Sequence, residues 1–194
     1  MLKTIQDDRL WLVSQPDHSR IAGYFAAHWG NSAFASPGSF AAPTPVADPE
    51  RLRAETVLAI AEHDNGWWEW EATPDLSADD GLPALWLCSA LVPAASGASR
   101  GIGEDAIELH DVPRRAWTDR CTITVTPLGG RRVKFDPYPF DIDPLPVLLP
   151  ARVVELPTDR PGSFHAAHFH AAHFQTWWHA RQPRSVEFTV VSEK

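Results

Sequence analysis

The sequence predicts an α+β protein, with an N-terminal helical part followed by a small β-rich C-terminal part. Two observations support this prediction. Apolar residues recur at helical spacing over residues 16–29 and 49–63. Alternation of apolar and polar residues, which is typical of strands, begins at Cys121. We therefore expect a helical part at residues 1–118 and a β-rich part at residues 119–194, packed on it or forming one domain with it.

The first helix is expected from Pro16, a residue type favoured in a first helical turn, to about Trp29. Residues 9–15 precede it as a short strand or an extended lead-in. His18 lies three and four residues before two apolar positions, so we expect it on the buried face of the helix. That face consists of Ile21, Ala22, Phe25, Ala26 and Trp29.

The second helix is expected from Pro49 or Glu50 to His63, after a loop rich in Gly, Ser, Ala and Pro. His63 continues the apolar stripe of this helix and is therefore expected to point inward. Residues 65–66, Asn-Gly, are expected to cap its C-terminus. Two separate helices thus each present a histidine from an apolar face. The stripe consists of Leu52, Thr56, Ala59, Ile60 and His63.

The C-terminal part contains three regions that predict strands. Residues 121–126 alternate in a β pattern, Gly-Gly at 129–130 offers a hairpin turn, and residues 132–135 can return beside the first strand. Residues 185–191 predict a final strand. Between positions 137 and 161 there are seven prolines. Any strand in that interval, at 147–149 or 151–156, is therefore expected to be short or to lie at a sheet edge.

The composition excludes several classes of function. A net charge of −8 and only three lysines argue against binding to the phosphate backbone of nucleic acids. The two cysteines form no CxxC pattern, and the N-terminus does not read as a signal peptide. The longest nearly apolar run, residues 84–95, is too short to span a bilayer. We expect a protein of the reducing cytoplasm with no membrane partner, and the sequence leaves its oligomeric state open.

Residues 62–71, Glu-His-Asp-Asn-Gly-Trp-Trp-Glu-Trp-Glu, carry the candidate site. Together with His18, the adjacent His63 and Asp64 offer two nitrogen donors and one oxygen donor, a set suited to Zn, Mn or Fe(II). Asp64 is also a candidate catalytic residue, and Glu71 is a candidate general base, with Glu62 and Glu69 as alternatives. Candidates for a missing further ligand are Asp105, His110 and Asp111. The alternative interpretation is two helix-buried histidines satisfied by hydrogen bonds, with Asp64 capping a turn.

The tryptophans of the same stretch allow two interpretations. Trp67 and Trp70, with Trp68 between them, could wall a ligand pocket, because indoles offer large flat surfaces with one donor. Alternatively, these side chains only pack the junction between helix and loop. In the first case the protein binds a ligand or a partner through a Trp-lined pocket, with or without catalysis.

Two further patterns point to less specific features. Residues 97–103 imitate the glycine-rich turn of dehydrogenases, but Pro93 and the following residues separate them from any strand, so we do not predict a nicotinamide site. The repeat His-Ala-Ala-His-Phe at 165–169 and 170–174 has a five-residue period. Its copies would face different sides of a helix, which predicts a partly exposed amphipathic helix or a fortuitous nickel- or zinc-binding surface.

Three motifs resemble a bacterial family catalogued as domain of unknown function 3891. They are residues 15–18 (Gln-Pro-Asp-His), residues 63–67 (His-Asp-Asn-Gly-Trp) and residues 136–140 (Asp-Pro-Tyr-Pro-Phe). The helical part of that family in turn resembles the HD superfamily, whose His…His-Asp…Asp ligands hold a metal used in phosphate-ester hydrolysis. The resemblance implies an HD-like helical part at residues 1–118. The Ala/Gly/Ser-rich segment 84–120 departs from the pattern, which implies an incomplete bundle and an incomplete metal site.

Two functional hypotheses follow. The first is an HD-like protein that binds a divalent metal through His18, His63 and Asp64, and that acts, if it is an enzyme, as a metal-dependent hydrolase of small phosphorylated molecules. The second is a non-catalytic ligand- or partner-binding module with a Trp-lined pocket. The sequence leaves the substrate and the identity of the metal open.

Overall fold

The computed structural model describes residues 2–6, 9–39, 48–76, 106–155, 176 and 178–193. The chain divides into two units. Unit 1 comprises Met1–His18, Asn65–Gly101 and Pro150–Ser185, and unit 2 comprises Ser19–Asp64, Ile102–Leu149 and Val186–Lys194. Each unit takes residues from both sides of position 118, and the boundary expected there from the sequence stays a prediction.

The described residues contain both helices and strands, and strands predominate. The elements are β1 (Leu2–Gln6), β2 (Arg9–Val13), α1 (Gln15–His28), α2 (Pro49–Glu62), a 3-10 turn (Asn65–Trp67), α3 (Trp68–Ala72), β3 (Ile107–Pro113), β4 (Arg120–Gly129), β5 (Arg132–Asp136), β6 (Leu145–Glu155) and β7 (Gln182–Val191). The strands are hydrogen-bonded in the order β1-β2-β6-β7-β5-β4-β3, and β6 and β7 contribute residues to both units.

Unit 1 is built on an antiparallel arrangement of β1, β2 and the end of β6. Leu10 lies opposite Val154, and Leu12 lies opposite Arg152. Because side chains alternate along a strand, Leu10 and Leu12 share one face, and both are almost fully buried. The apolar core of this unit consists of Leu10, Leu12, Ala151, Val153, Val154 and Trp178.

Unit 2 combines helices α1 and α2 with strands β3, β4 and β5, which pair antiparallel in sequence order. Gly129 and Gly130 both have positive φ in the turn between β4 and β5, which confirms the predicted hairpin. Strand β5 pairs in parallel with β7. The core consists of Phe140, Leu145, Val147 and Val190. Ile21, Tyr24 and Phe25 of α1 pack on it, as does Trp29, which directly follows this helix.

Both predicted helices are confirmed, and the mixed α and β composition is confirmed. An HD-like helical part is not shown, because the described residues before position 118 also include β1, β2 and β3. Segments 84–95, 97–103 and 165–174, on which several sequence predictions fall, lie outside the described residues. In the part of the chain that the structure describes, no helix is long and apolar enough to cross a bilayer.

Two sequence predictions are wrong, one about the cap at the end of α2 and one about strands in the proline-rich interval. Asn65 and Gly66 do not form a left-handed cap, because the chain continues directly into a 3-10 turn and then α3. The proline-rich interval does not restrict strands to edges either, since β6 spans 11 residues between β2 and β7. The register of β6 with β2 runs over residues 152–155, so Pro146 and Pro150 lie outside it and need no amide hydrogen for that pairing.

Candidate metal site

Helices α1 and α2 approach each other closely at Gly23. A Cβ atom placed on Gly23 would lie 2.4 Å from Cβ and 2.7 Å from Cα of Ala61, so only glycine fits there without a shift. Close to this contact, Nη2 of Arg53 on α2 donates to the carbonyl oxygen of Ala27 on α1 at 2.7 Å. The two helices that carry the candidate ligands are therefore held together by a steric fit and a hydrogen bond.

His18 lies on the same helix as Gly23, α1. One ligand atom from each of His18, His63 and Asp64 lies within 4.8 Å of the other two. These are the three donors that the sequence predicts as a group.

A capping motif fixes the helical turn that carries His18. Ser14 Oγ donates to Asp17 Oδ2 at 2.7 Å, and the backbone N–H of Asp17 donates to Ser14 Oγ at 3.1 Å. Ser14 precedes the helix and Asp17 is its third residue, so Ser14 is the N-cap of α1 and its Oγ accepts the N–H of Asp17. Apolar spacing does not reveal this cap, whereas the local Ser-x-x-Asp spacing is typical of a helix N-terminus.

The side chain of His63 folds back on its own helix. Its Nδ1 lies 2.7 Å from the carbonyl oxygen of Ile60, and its Nε2 lies 3.2 Å from Oδ2 of Asp64. A carbonyl oxygen can only accept a hydrogen bond, so Nδ1 carries the hydrogen. Nε2 is then the nitrogen that faces the carboxylate.

The predicted burial of the two histidines is wrong. His18 and His63 are both exposed, whereas Asp17 and Ser19, on either side of His18, are buried. In the first turn of α1 the buried side chain is therefore Asp17, which bonds to Ser14, and not His18. Helix α2 has no buried residue, and His63 at its end bonds to the helix backbone instead of entering the core. The alternative interpretation also required both histidines to be buried, so their exposure argues against it as well.

Glu71, the candidate general base, is 5% exposed on α3 in unit 1. Its Oε1 accepts a hydrogen bond from the backbone N–H of Gln15 at 2.9 Å, beside the first turn of α1. Burial raises the pKa of Glu71, and the hydrogen bond from Gln15 opposes this effect. The catalytic roles of Glu71 and Asp64 stay predictions.

The tryptophans differ in their surroundings. Trp67 and Trp70 pack edge to face, with ring centroids 6.3 Å apart. Trp68, in contrast, is 63% exposed and lines a cavity of unit 1 together with Trp178. The ligand-binding role of Trp67 and Trp70 stays a prediction. The cavity also contains Arg152 and Arg181, which have no local sequence signal because they come from distant parts of the chain.

The candidates for a further ligand do not join the group in the described structure. His110 Nε2 pairs with Glu108 Oε2 at 3.4 Å on strand β3. Asp111 lies on the same strand with a positive φ of 57°. Asp105 lies outside the described residues.

Comparison with known proteins supports the family resemblance. Residues 1–95 match the family described as Protein of unknown function (DUF3891). The matched range contains His18, His63, Asp64 and Glu71, so the candidate site falls within the DUF3891 match. The HD-like pattern is not confirmed beyond the grouping of three donors. No curated protein and no solved structure matches the chain.

The raised pKa of Glu71 leads to a test by pH. A carboxyl group with a raised folded-state pKa binds its proton more tightly in the folded than in the unfolded state. Its contribution to stability is therefore present at low pH and is lost as pH rises from the unfolded pKa, about 4.5, through the folded pKa.

The variant Glu71→Gln tests this dependence, because glutamine keeps an acceptor for the Gln15 N–H but cannot ionise. We expect Tm of the variant to rise relative to wild type as pH increases from 4 to 7. A difference in Tm that stays constant with pH would contradict this expectation.

Proposed function

We propose that the protein binds a divalent metal ion through His18, His63 and Asp64. The geometry of His63 supports this proposal most strongly. With the hydrogen on Nδ1, a neutral imidazole turns the lone pair of Nε2 toward the Asp64 carboxylate, 3.2 Å away. Two groups that can only accept hydrogen bonds make a favourable contact at this distance when a cation or a proton lies between them. His18 provides a third donor at the same place, which favours a metal over a proton.

The contacts of His63 also match those of known metal-binding histidines. Such histidines donate their second ring N–H to a carbonyl or carboxylate, which fixes the tautomer and the ring orientation. In His63 the bond from Nδ1 to the carbonyl oxygen of Ile60 fulfils this role. The mixed nitrogen and oxygen donors suit Zn, Mn or Fe(II).

The donor separations require only small side-chain movements. Ligands at about 2.1 Å from one ion are at most about 4.2 Å apart, slightly less than the 4.8 Å limit that includes all three donors here. His18 is exposed and can rotate without disturbing a core, whereas the bond to Ile60 keeps the His63 ring in place.

We further propose that the bound metal serves hydrolysis of small phosphorylated molecules. A divalent ion in such a site supplies Lewis acidity and lowers the pKa of a bound water. Glu71 is the proposed general base, since burial raises its pKa toward the range useful for accepting a proton. The three donors hold the ion, and the Gln15 amide holds one carboxylate oxygen of Glu71.

Metal binding is tested by titrating chelator-treated protein with Mn²⁺ or Zn²⁺ in a calorimeter. We expect His63→Ala and Asp64→Asn either to lose one equivalent of bound metal or to bind it with a higher Kd. The increase in Kd should be at least roughly 10- to 100-fold, which is typical of losing an outer-shell partner. His110→Ala is the matched control, because His110 also pairs with a carboxylate on the surface but has no third donor nearby among the described residues.

Comparison of variants separates this site from the histidine repeat at 165–174, which is present in every one of these proteins. Identical stoichiometry and affinity in wild type and His63→Ala would overturn the metal proposal. Hydrolysis is then measured with aryl phosphate esters and Mn²⁺. Turnover that is lost in His63→Ala supports the hydrolase proposal, and absence of turnover in several metals overturns it.

A second candidate function is a non-catalytic module that binds a ligand in a Trp-lined pocket. The cavity of unit 1, lined by Trp68 and Trp178, favours this candidate. It predicts saturable binding of a small molecule by metal-free protein, which the metal-site variants would leave unchanged.

A further inference from the structure

Unit 1 contains a cavity that combines aromatic walls with several charged side chains. Its volume is about 70 Å³, more than the roughly 10–15 Å³ that one water molecule requires. Trp68 and Trp178 supply the indole surfaces, and the polar lining consists of Ser14, Glu71, Arg152 and Arg181. A cavity with this volume and lining suits the charged group of a small ligand.

The two arginines differ in how their charges are balanced. Arg152 Nη1 lies 3.6 Å from Asp17 Oδ2, so this guanidinium has a nearby carboxylate. Arg181 lies over the ring of Trp178, 4.4 Å from its centroid, and its Nη1 donates to the Trp178 carbonyl oxygen at 2.6 Å. Among the described residues, no carboxylate lies within ion-pair distance of Arg181.

The electrostatics of the cavity favour an additional negative charge. Burial, followed by the positive charge of Arg152, lowers the pKa of Arg181, while Glu71 opposes this effect. The repulsion between the two guanidinium groups would be relieved by an anion between them.

We propose that this cavity binds the anionic group of a small organic ligand, a carboxylate or a phosphate, through Arg152 and Arg181. Guanidinium groups present planar, paired donors that match both of these anions. Trp68 is largely exposed at this cavity and offers its ring to a flat apolar part of the same ligand. The inference specifies the ligand for the second candidate function and does not depend on a bound metal.

The test is calorimetric titration of metal-free protein with phenyl phosphate, benzoate and the neutral analogue benzyl alcohol. We expect saturable binding of at least one anion and weaker binding of the alcohol. The tighter of phenyl phosphate and benzoate identifies the anionic group. Arg152→Gln and Arg181→Gln should each raise Kd by about tenfold or more, because each removes charge-assisted hydrogen bonds.

Arg184→Gln is the matched control, since Arg184 is exposed, lies three residues after Arg181 and, among the described residues, donates to Pro183 and Gln182. Because Arg181 packs on Trp178, thermal unfolding checks that each variant is folded, and Arg152→Gln keeps the test valid if Arg181→Gln unfolds. Equal Kd in wild type and Arg152→Gln would overturn the inference. If benzyl alcohol bound as tightly as the anions, the proposed anion site would be overturned, but the second candidate function would stand. If no probe bound, the anion site and the second candidate function would both be overturned.

Discussion

Phe140→Ala is expected to lower the free energy of unfolding by about 3–5 kcal/mol, the usual cost of truncating a buried aromatic side chain. Phe140 is 3% exposed in unit 2. Its ring centroid lies 5.4–5.7 Å from those of Phe25, Trp29, Phe135 and Tyr138. Alanine would remove all four ring contacts and leave a cavity that the rigid neighbours cannot fill. Urea denaturation measures the change.

Leu148→Ala is the control for this substitution. Leu148 lies on β6 next to the buried Val147, but it is 53% exposed because it points to the other face of the strand. We expect its replacement to change stability by no more than about 0.5 kcal/mol. Similar losses in the two variants would show that the aromatic cluster is not the core of unit 2.

The two main helices could be predicted because their signals are local. Helix α1 follows from apolar residues repeated at helical spacing, and α2 follows from the same spacing after a proline. Asp48 caps α2 by accepting the backbone N–H of Arg51 at 3.0 Å, a second local signal. A few neighbouring residues therefore determine where these helices begin and end.

The arrangement of the strands could not be predicted in the same way. The parallel pairing of β5 with β7 joins Arg132 to Thr189, and no spacing within either strand indicates the other. The expected HD-like bundle, which the structure does not show, illustrates a similar limit of local patterns. A helical stripe predicts a helix, but it does not show whether other helices or strands pack against it.

The sequence groups the three candidate donors, but it does not indicate the environment of each side chain. His63 and Asp64 are adjacent in sequence, and His18 was found because it shares a helix with a clear apolar stripe. Their exposure depends on side-chain bonds, such as that of His63 to Ile60, which residue spacing does not reveal. Arg152 and Arg181 were missed because only folding brings them to the cavity in unit 1.

Gly23→Ala is expected to weaken both the packing of α1 on α2 and the proposed binding of metal. The added methyl group would lie 2.4 Å from Cβ of Ala61, a distance that real Cβ atoms essentially never show. The helices must therefore separate, and overpacking of this kind costs about 1–3 kcal/mol. The higher helix propensity of alanine offsets up to about 1 kcal/mol of this loss. Chemical denaturation measures the net change.

Gly66→Ala provides the matched control, because no atom lies within 4 Å of a Cβ placed on Gly66. It carries the same added methyl group, in the turn that follows His63 and Asp64, and should leave stability nearly unchanged. Gly23→Ala should also raise the Kd for Mn²⁺, since His18 is on α1 and the other two donors follow α2. If Gly23→Ala matched Gly66→Ala in stability, the close approach of the helices would be refuted. If it lost stability but kept its metal affinity, this approach would not be what positions the three donors.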